Sequence, residues 1–509
     1  MVSKVYSLAY QGLEVYPIEV EVDIHRGLPA ISLVGLLDTA VKESKDRVRA
    51  GIKNSGYQFP SQRVTINLAP GNVKKEGTHF DLAIALGILK ATFQIDCDFS
   101  SYFIVGELSL EGRIREVKGI FPMALMAKKL GKKFILPLTN AKEAALAKDL
   151  EIFPVSHLQE TVGFLSGVVS KQPFRIDLEE ILSTPPAYDV DFSEVKGQLL
   201  AKKALEVAVA GMHNVLLIGP PGVGKTMLAR RLPTILPDME YEEILETTKI
   251  YSIAGLLNKD FPLVKERPFR SPHHTASSVA LVGGGTTIKP GEVTLAHNGV
   301  LFLDELPEFN RDALEGLRQP LEEGFVSISR ATKHLRFPSR FLLVTAMNPC
   351  PCGYFGSQER TCHCSSYQIQ KYRNKISGPL LDRIDIHVEL QNIKVDSLLK
   401  ENISWESSQE IKRRVELARS IQKERFKNEK ILFNSQMNHR QIKKYCTLTK
   451  DSKSLIEIAV KEFGFSVRAY DKILKVSRTI ADLANSSLIR EEHISQAINY
   501  RSLDKSIWV

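Results

Sequence analysis

A phosphate-binding loop constrains this 509-residue chain more than any other feature of its sequence. The loop reads G-x-x-x-x-G-K-T and consists of Gly219, Pro220, Pro221, Gly222, Val223, Gly224, Lys225 and Thr226. Glycines let the backbone bend closely around phosphate groups, so that consecutive N–H groups point at their oxygens. The lysine places a positive charge on the β and γ oxygens, and the threonine hydroxyl binds Mg²⁺. The motif therefore predicts a site for a nucleoside triphosphate and Mg²⁺.

The segments on either side of the loop have the patterns that this chemistry requires. Residues 214–218 read NVLLI, which predicts a short buried strand. Residues 227–232 read MLARRL, which predicts a helix whose N-terminal dipole favours an anion. The alternative, a glycine turn that binds nothing, does not account for this order of strand, loop and helix. We therefore expect ATP and Mg²⁺ as cofactors.

The composition is that of a globular protein with several domains. Hydrophobic residues make up 43% of the chain and charged residues 25%, as is usual for folded domains. No apolar run is long enough to span a membrane, and residues 1–6 lack the apolar core of a signal peptide. We expect a cytoplasmic protein without a membrane partner. The net charge of +9 suits nucleic acid, although many cytosolic proteins are mildly basic.

Four segments with different patterns follow one another along the chain. Residues 1–165 alternate strand-like and helix-like patterns. Residues 166–190 mix Pro, Ser and acidic residues without a sustained period, which is typical of a linker. Residues 191–392 alternate helices with apolar strands and predict an α/β fold with a parallel sheet. Helical periodicity dominates in residues 393–509.

Two further strands in the α/β segment end in polar residues that suit hydrolysis. The apolar run before Asp304 and Glu305 predicts a buried strand that delivers Asp304 to the metal and Glu305 to the attacking water. Ordinary surface acids are the alternative, which the position downstream of Thr226 disfavours. The next apolar run ends at Asn348, whose amide can orient the water without adding charge, although Asn before Pro is also common in turns.

Two arginines are candidates for contacts with the phosphates. Arg383 lies between carboxylates, which either hold it in a salt bridge or leave it to reach a neighbouring subunit's γ-phosphate as an arginine finger. Arg468 stands at the start of a predicted helix in the C-terminal segment, where it can report the nucleotide state to that segment.

Four of the six cysteines occur close together, directly after Asn348. They form two C-x-C pairs, namely Cys350 with Cys352 and Cys362 with Cys364. Four thiolates complete a closed tetrahedral zinc site, which fixes a loop and leaves no ligand position for catalysis. Reduced cysteines without a metal are the alternative. In a cytosolic chain such a cluster favours metal over disulfides.

These motifs, in this order, resemble those of AAA+ ATPases. The segments PFRSPHHTASS, GGGTTIKPGEVTLAHNGVLFLDELPEF, NPCPCG and RAYDKILKVSRTIADL are closely similar to the magnesium-chelatase-like ComM (YifB) family, and the similarity covers essentially the whole chain. The resemblance implies a hexameric ring with an AAA+ core, a C-terminal helical lid and an α+β N-terminal domain similar to that of Lon protease (ribosomal S5 domain 2-like). It also implies that Asn348 is sensor 1, Arg383 the trans arginine finger and Arg468 sensor 2.

The resemblance also implies DNA as a partner, single-stranded or branched, together with recombination proteins. Residues 325–337 predict a hairpin with a basic tip, at the position where related AAA+ proteins carry a pore hairpin. Arg330, Lys333 and His334 are its candidate phosphate contacts, and a solvated turn is the alternative. Residues 270–277 resemble an insertion found across the family; loop support or strand contact is favoured there over metal binding by the two adjacent histidines.

Two N-terminal segments resemble the parts of Lon protease that carry its catalytic serine and lysine, namely residues 74–89 and 105–119. The serine position falls on His79 and the lysine position on Phe121. Because phenylalanine cannot deprotonate a nucleophile, peptidase activity is not expected.

The resulting hypothesis is an ATP-driven hexameric DNA motor, a helicase or branch-migration enzyme, in natural transformation or homologous recombination. The alternatives are a magnesium-chelatase motor subunit that remodels a partner protein and, disfavoured by the missing serine and lysine, an ATP-dependent protease.

Overall fold

The computed structural model describes residues 2–186, 188–285, 288–330, 333–357, 360–391 and 405–501. Its strands are β1 (Ser3–Gln11), β2 (Glu14–His25), β3 (Ala30–Val34), β4 (Arg63–Ala69), β5 (Tyr102–Ile104), β6 (Glu107–Leu108), β7 (Ile114–Arg115), β8 (Lys133–Pro137), β9 (Ile152–Val155), β10 (Val215–Ile218), β11 (Phe269–Arg270), β12 (Gly283–Gly284), β13 (Lys289–Pro290), β14 (Val300–Leu303), β15 (Phe325–Arg330), β16 (Lys333–Pro338), β17 (Leu342–Met347) and β18 (Ile386–Glu389).

The α-helices of the described residues are α1 (Thr39–Asn54), α2 (Asp81–Ala91), α3 (Ile120–Lys129), α4 (Ala141–Ala144), α5 (Leu158–Leu165), α6 (Leu178–Ser183), α7 (Leu199–Gly211), α8 (Lys225–Ile235), α9 (Tyr241–Ala254), α10 (Ser278–Val282), α11 (Glu292–Leu295), α12 (Arg311–Glu315), α13 (Arg318–Glu323), α14 (Ser366–Arg373), α15 (Gly378–Leu381), α16 (Ser408–Arg425), α17 (His439–Tyr445), α18 (Lys450–Phe463), α19 (Val467–Leu483) and α20 (Glu491–Asn499). None of them is long and apolar enough to cross a membrane.

The chain forms two compact units, of which the first comprises Met1–Pro185 and Tyr241–Lys265. Its larger sheet has the order β1-β2-β4-β3, with antiparallel pairs except for the parallel pair β3–β4. Buried and half-exposed residues alternate along β4, as expected for a sheet with one covered face. Helix α2 is buried from Asp81 to Leu89, so it forms the centre of this unit's core. A second, parallel sheet has the order β5-β8-β9.

Helix α9 belongs to the first unit, although the sequence prediction included it in the ATPase segment. It packs against α3. Ser252 of α9 donates a 2.6 Å hydrogen bond to Glu143 Oε1, and the backbone N–H of Phe121 donates to the same oxygen over 3.0 Å. The periodicity of α9 predicts a helix but does not identify the element that covers it. The sequence prediction placed α9 in the ATPase segment only because the residues before and after it in the chain belong to that segment.

The second unit comprises Pro186–Glu240 and Glu266–Val509 and is built on a five-stranded sheet of order β11-β14-β17-β10-β18. All of its pairs are parallel. Strands β10, β14 and β17 are buried along their whole length, as strands covered on both faces are. The predicted parallel α/β sheet is confirmed. Since the strands are parallel, the loops after β10, β14 and β17 meet at one edge of the sheet.

The C-terminal helices of this unit pack on the same core as the sheet. Ile411, Val415 and Ala418 of α16 are buried in one cluster with Val215 of β10 and Ile473 of α19. The predicted boundary between core and lid, at residues 392 and 393, lies outside the described residues.

The predicted linker, residues 166–190, contains the short helix α6. The side chain of Asp177 caps it by accepting hydrogen bonds from the N–H groups of Glu179 and Glu180. An acidic residue such as Asp177 is a signal for the start of a helix. The helix was not predicted because the segment shows no sustained hydrophobic periodicity.

Candidate nucleotide site

The phosphate loop connects the buried strand β10 to the N-terminus of α8 in the second unit. Gly222 and Gly224 have φ values of 83° and 92°, which side chains rarely adopt, and a Cβ there would meet no atom within 4 Å. Glycine is therefore needed at these two positions because of the backbone conformation. A side chain there would not collide with neighbouring atoms. An anion at this point would face the N–H groups of the first turn of α8.

Lys225 lies folded against its own loop. Its Nζ donates hydrogen bonds to the carbonyl oxygens of Gly219 (2.5 Å) and Pro220 (2.9 Å) and to Asn348 Oδ1 (3.0 Å). Burial lowers the pKa of Lys225 to about 8, while the nearby carboxylates of Asp304 and Glu305 act in the opposite direction. Phosphate oxygens beside this ammonium would favour its charged form.

Asp304 and Glu305, the acids predicted to act on metal and water, follow β14. Their side chains contact different parts of the unit. Thr226 Oγ1 donates a 2.7 Å hydrogen bond to Asp304 Oδ2, so the two proposed magnesium ligands are already adjacent. The Glu305 carboxylate instead lies 3.2 Å from His274 Nδ1, in the loop after β11. The structure thus brings Lys225, Thr226, Asp304 and Asn348 together through direct contacts, and leaves Glu305 paired elsewhere.

The two candidate arginines both contact residues of the segment before β18. Arg383 donates a 2.6 Å hydrogen bond to the carbonyl of Pro379 and forms an ion pair with Glu322. Arg468, at the start of α19, lies 3.3 Å from Asp382 Oδ2. The contacts that the structure shows for the two arginines thus lead to Pro379, Glu322 and Asp382 and not to the phosphate loop. The ion pair that the structure shows for Arg383 is with Glu322, whereas the sequence suggested the carboxylates beside it in the chain.

Helix α19 also fixes the residues that follow Arg383. Lys472 lies 3.3 Å from Asp385 Oδ1 and donates a 2.9 Å hydrogen bond to the carbonyl of Ile384. His213, which is fully buried, lies 3.3 Å from Asp385 Oδ2. Burial alone would raise the pKa of Asp385, but Lys472 and His213 hold it well below its usual range. Sequence reasoning missed this cluster because its members stand far apart in the chain.

The four clustered cysteines bring their sulfur atoms within 4.8 Å of one another. Cys350 Sγ lies 3.3 Å from that of Cys352 and 3.7 Å from that of Cys362. Tetrahedral zinc with Zn–S bonds of about 2.3 Å separates its sulfurs by about 3.8 Å, so the donor set fits a zinc ion. The N–H of Tyr354, together with further hydrogen bonds, lowers the pKa of Cys352 to about 6. Only Cys352 is thereby shifted towards the thiolate that a metal binds, because burial and hydrogen bonds among the sulfurs raise the pKa values of Cys350, Cys362 and Cys364.

The predicted hairpin consists of β15 and β16, which pair antiparallel from Phe325–Pro338 to Arg330–Lys333. The side chains of Arg330, Lys333 and His334, the candidate DNA contacts, lie outside what the structure describes.

In the first unit, His79 and Phe121 occupy the positions at which Lon protease carries its serine and lysine. His79 is 4% exposed, and burial lowers its pKa to about 4. Its ring lies 4.1 Å from that of Phe80. Phe121 is fully buried at the start of α3. The two residues are therefore parts of the core.

Comparison with known proteins agrees with this geometry. Residues 191–398 match the family described as "Magnesium chelatase, subunit ChlI", residues 20–140 match "Subunit ChlI of Mg-chelatase", and residues 405–501 match "Magnesium chelatase, subunit ChlI C-terminal". The chain is 44% identical over 504 residues to "Competence protein ComM" of Haemophilus influenzae, covering 98% of this chain and 97% of that protein. The chain belongs to the magnesium-chelatase-like ComM/YifB family.

Two further relatives extend this result. The "Uncharacterized protein YifB" of Escherichia coli is 42% identical over 508 residues, covering 99% of this chain and 97% of that protein. "Lon protease 2" of Bacillus subtilis is 28% identical over 143 residues, 27% of this chain and 26% of that protein. The family resemblance drawn from the motifs is thus confirmed. Membership in the ComM/YifB family, together with the phosphate loop, indicates an ATPase with ATP and Mg²⁺ as ligands.

Proposed function

We propose that this ComM/YifB-family chain is an ATP-driven motor that works as a homo-hexamer and moves single or branched DNA strands. The observation that carries the proposal is the set of contacts joining Lys225, Thr226, Asp304 and Asn348 around one phosphate loop. Such a set serves phosphoryl transfer, in which catalysis consists mainly of positioning and charge stabilisation. The name of the Haemophilus relative supports a role in competence, and hence in natural transformation or recombination.

Each residue has a defined part in the proposed hydrolysis. Thr226 and Asp304 would hold Mg²⁺, which would supply positive charge to the phosphate groups. Lys225 offsets negative charge that develops on the phosphoryl oxygens, Asn348 orients the water, and Glu305 accepts its proton. Arg383 would supply positive charge to the nucleotide of the adjacent subunit as an arginine finger, and Arg468 would act as sensor 2.

The parts outside the nucleotide site complete the proposal. The β15–β16 hairpin would grip the DNA backbone through Arg330, Lys333 and His334, with affinity that falls as salt rises. Zinc at the four cysteines would hold the loop after Asn348 in place. We assign residues 1–165 to a Lon-like domain of the ribosomal S5 domain 2-like fold. Since His79 and Phe121 occupy its serine and lysine positions, it serves as a binding or scaffolding domain and not as a peptidase.

A second candidate function follows from the matched family descriptions. They name a magnesium chelatase subunit, and the alternative is therefore a motor that remodels a partner protein. Such a motor would use the same nucleotide site. The two functions differ in what stimulates hydrolysis: a DNA motor responds to polynucleotide, and a chelatase motor responds to its partner subunit.

Phosphate release by the purified chain tests the proposal directly. With ATP and Mg²⁺, we expect hydrolysis that single-stranded or four-way-junction DNA accelerates, and we expect ring particles by electron microscopy. Hydrolysis without any response to DNA would favour the chelatase-type motor. No phosphate release and no rings in the presence of DNA would refute both.

A further inference from the structure

The larger sheet of the first unit ends in a strand with a free edge. Strand β3 is the last in the order β1-β2-β4-β3, and it pairs with β4 from Ala30–Arg63 to Val34–Asn67. Among the residues that the structure describes, no second strand lies along its other side. The backbone N–H and C=O groups on that side therefore form a template to which a further strand can add.

Large apolar side chains are exposed along this edge. Leu28, just before β3, is 87% exposed, Val34 at the end of β3 is 47% exposed, and Leu36 just after it is 49% exposed. A single exposed apolar residue is ordinary on a protein surface. Three of them within residues 28–36, beside an unpaired strand edge, indicate a surface that contacts another molecule.

A pocket of about 360 Å³ lies at the N-terminal end of β3. The start of β3 and the segment before β4 form one part of its lining, with Ile31, Phe59 and Pro60 among the residues. Ile31 and Phe59 also pack against the core of the unit. The apolar part of the pocket is therefore held in place by the fold.

The outer face of α1 gives the pocket its charge. Lys45, Arg49 and Lys53 follow one another at intervals of four residues, which places them on one face of the helix, and all three line the pocket. Arg49 also lies over the ring of Phe59, with its guanidinium carbon 5.8 Å from the ring centroid. Asp46 is the one carboxylate among the lining residues. In the part of the chain that the structure describes, none of the three cations forms an ion pair.

We propose that β3 and this pocket dock an extended segment of a partner protein, rich in acidic and apolar residues. The segment adds to the free edge of β3 through main-chain hydrogen bonds, and its acidic side chains lie against Lys45, Arg49 and Lys53. Its apolar side chains cover Phe59 and the exposed residues of the edge. The net charge of +9 on the chain favours the approach of an acidic partner. The site is separate from ATP hydrolysis, because all its residues belong to the first unit.

A nucleic-acid strand is the other anion that these cations could attract. Its phosphates would neutralise the face of α1. They would leave the edge of β3 without partners, since a sugar–phosphate backbone lacks the regular N–H and C=O groups that pair with a strand. The free edge and the exposed apolar side chains therefore favour a polypeptide.

Fluorescence anisotropy with the full-length protein tests the proposal. The probe is a labelled ten-residue peptide in which Asp alternates with Val. Lys45→Glu combined with Arg49→Glu reverses two charges of the pocket. Lys128→Glu combined with Lys129→Glu is the matched control, because it reverses two exposed charges on α3 of the same unit and gives the same net charge.

Two further peptides test the strand pairing itself. One carries N-methyl groups on its Asp residues and the other on its Val residues. Neighbouring residues of a strand direct their N–H groups to opposite sides, so only one of the two sets faces β3 in an added strand. We therefore expect one methylated peptide to lose binding and the other to keep it.

We expect the pocket variant to weaken peptide binding at least about tenfold, because two attractive contacts become repulsive, and the control variant to stay within about twofold of the wild type. Circular dichroism shows whether each variant is folded. Equal weakening by both variants, equal binding of both methylated peptides, or no binding by the wild type at about 1 mM would overturn the proposal. A pocket variant that loses single-stranded DNA but keeps the peptide would show a nucleic-acid site instead. One that changes the size of the particle but keeps the peptide would show an interface between copies of this chain.

Discussion

The hydroxyl of Thr226 donates a 2.7 Å hydrogen bond to Asp304 Oδ2, although 78 positions separate the two residues in the chain. The contact joins the first turn of α8 to the end of β14 and brings a hydroxyl oxygen and a carboxylate oxygen to one point. Mg²⁺ takes such oxygen ligands, and it keeps several waters when bound with nucleotide phosphates. The fold therefore places the two proposed magnesium ligands within hydrogen-bond distance of each other.

Replacing Thr226 by alanine would remove one of the two proposed magnesium ligands. We expect half-maximal ATP hydrolysis to need at least about 10-fold more Mg²⁺, since even the loss of a residue that only supports a metal ligand costs about 10- to 100-fold in metal affinity. Thr226→Ser, which keeps the hydroxyl, should behave as the wild type in a magnesium titration at saturating ATP. An identical magnesium requirement for Thr226→Ala and the wild type would show that Thr226 is not a ligand.

Arg383 should act on the nucleotide of another subunit. We expect Arg383→Ala to lower kcat by about 10³-fold, the lower end of the range for arginine fingers. Rings mixed from Arg383→Ala and Lys225→Ala chains should recover hydrolysis, since an intact phosphate loop then meets an intact arginine. Activity of the mixture equal to the sum of the two separate variants would contradict a role in trans.

The cysteine cluster should hold one zinc ion per chain. Replacing Cys350 and Cys352 by serine removes two of four thiolates, and elemental analysis of the purified protein should show the loss of zinc. Cys97→Ser is the matched control, because Cys97 lies outside the group of sulfurs within 4.8 Å. Zinc content that does not change in the double variant would exclude this site.

Burial of His79 makes the stability of the first unit depend on pH. Burial lowers its pKa from 6.5 to about 4, so between these values the unfolded chain binds a proton that the folded chain does not. The free energy of unfolding is therefore highest, as far as His79 is concerned, above pH 6.5. It falls by about 3 kcal/mol in total as the pH falls towards 4.

The variant His79→Phe isolates this effect, because all other groups titrate alike in both proteins. The unfolding free energy of the wild type minus that of the variant, from urea unfolding, should rise by about 3 kcal/mol between pH 4 and pH 7. A difference that stays constant over this range would mean that His79 titrates normally in the folded state.

The sequence predicts which side chains meet around the phosphate loop, because local patterns mark the strand ends that carry them. Glycine spacing and apolar strands locate Lys225, Thr226, Asp304 and Asn348, and parallel strands bring their ends together. The partners of Glu305 and Arg468 could not be predicted in this way. Each contact depends on the direction in which one side chain turns among residues distant in sequence, namely His274 and Asp382.

The same limit applies to the fold. Periodicity predicts that α9 is a helix, and chain order suggests that it lies with the helix before it. Its packing on α3, and the hydrogen bond from Ser252 to Glu143, depend instead on surface complementarity that a single sequence does not display. The short α6 was missed for the opposite reason, since its cap at Asp177 is local but its length is too small for periodicity to show.

ATP-dependent branch migration by the wild type and by Lys225→Ala, on a labelled four-way junction at moderate salt, measures whether bound ATP drives the movement of DNA. We expect the wild type to move the branch only with ATP and Mg²⁺, and Lys225→Ala to bind the junction but leave it unmoved. Equal branch movement by the two proteins, or none by either, would contradict an ATP-driven DNA motor.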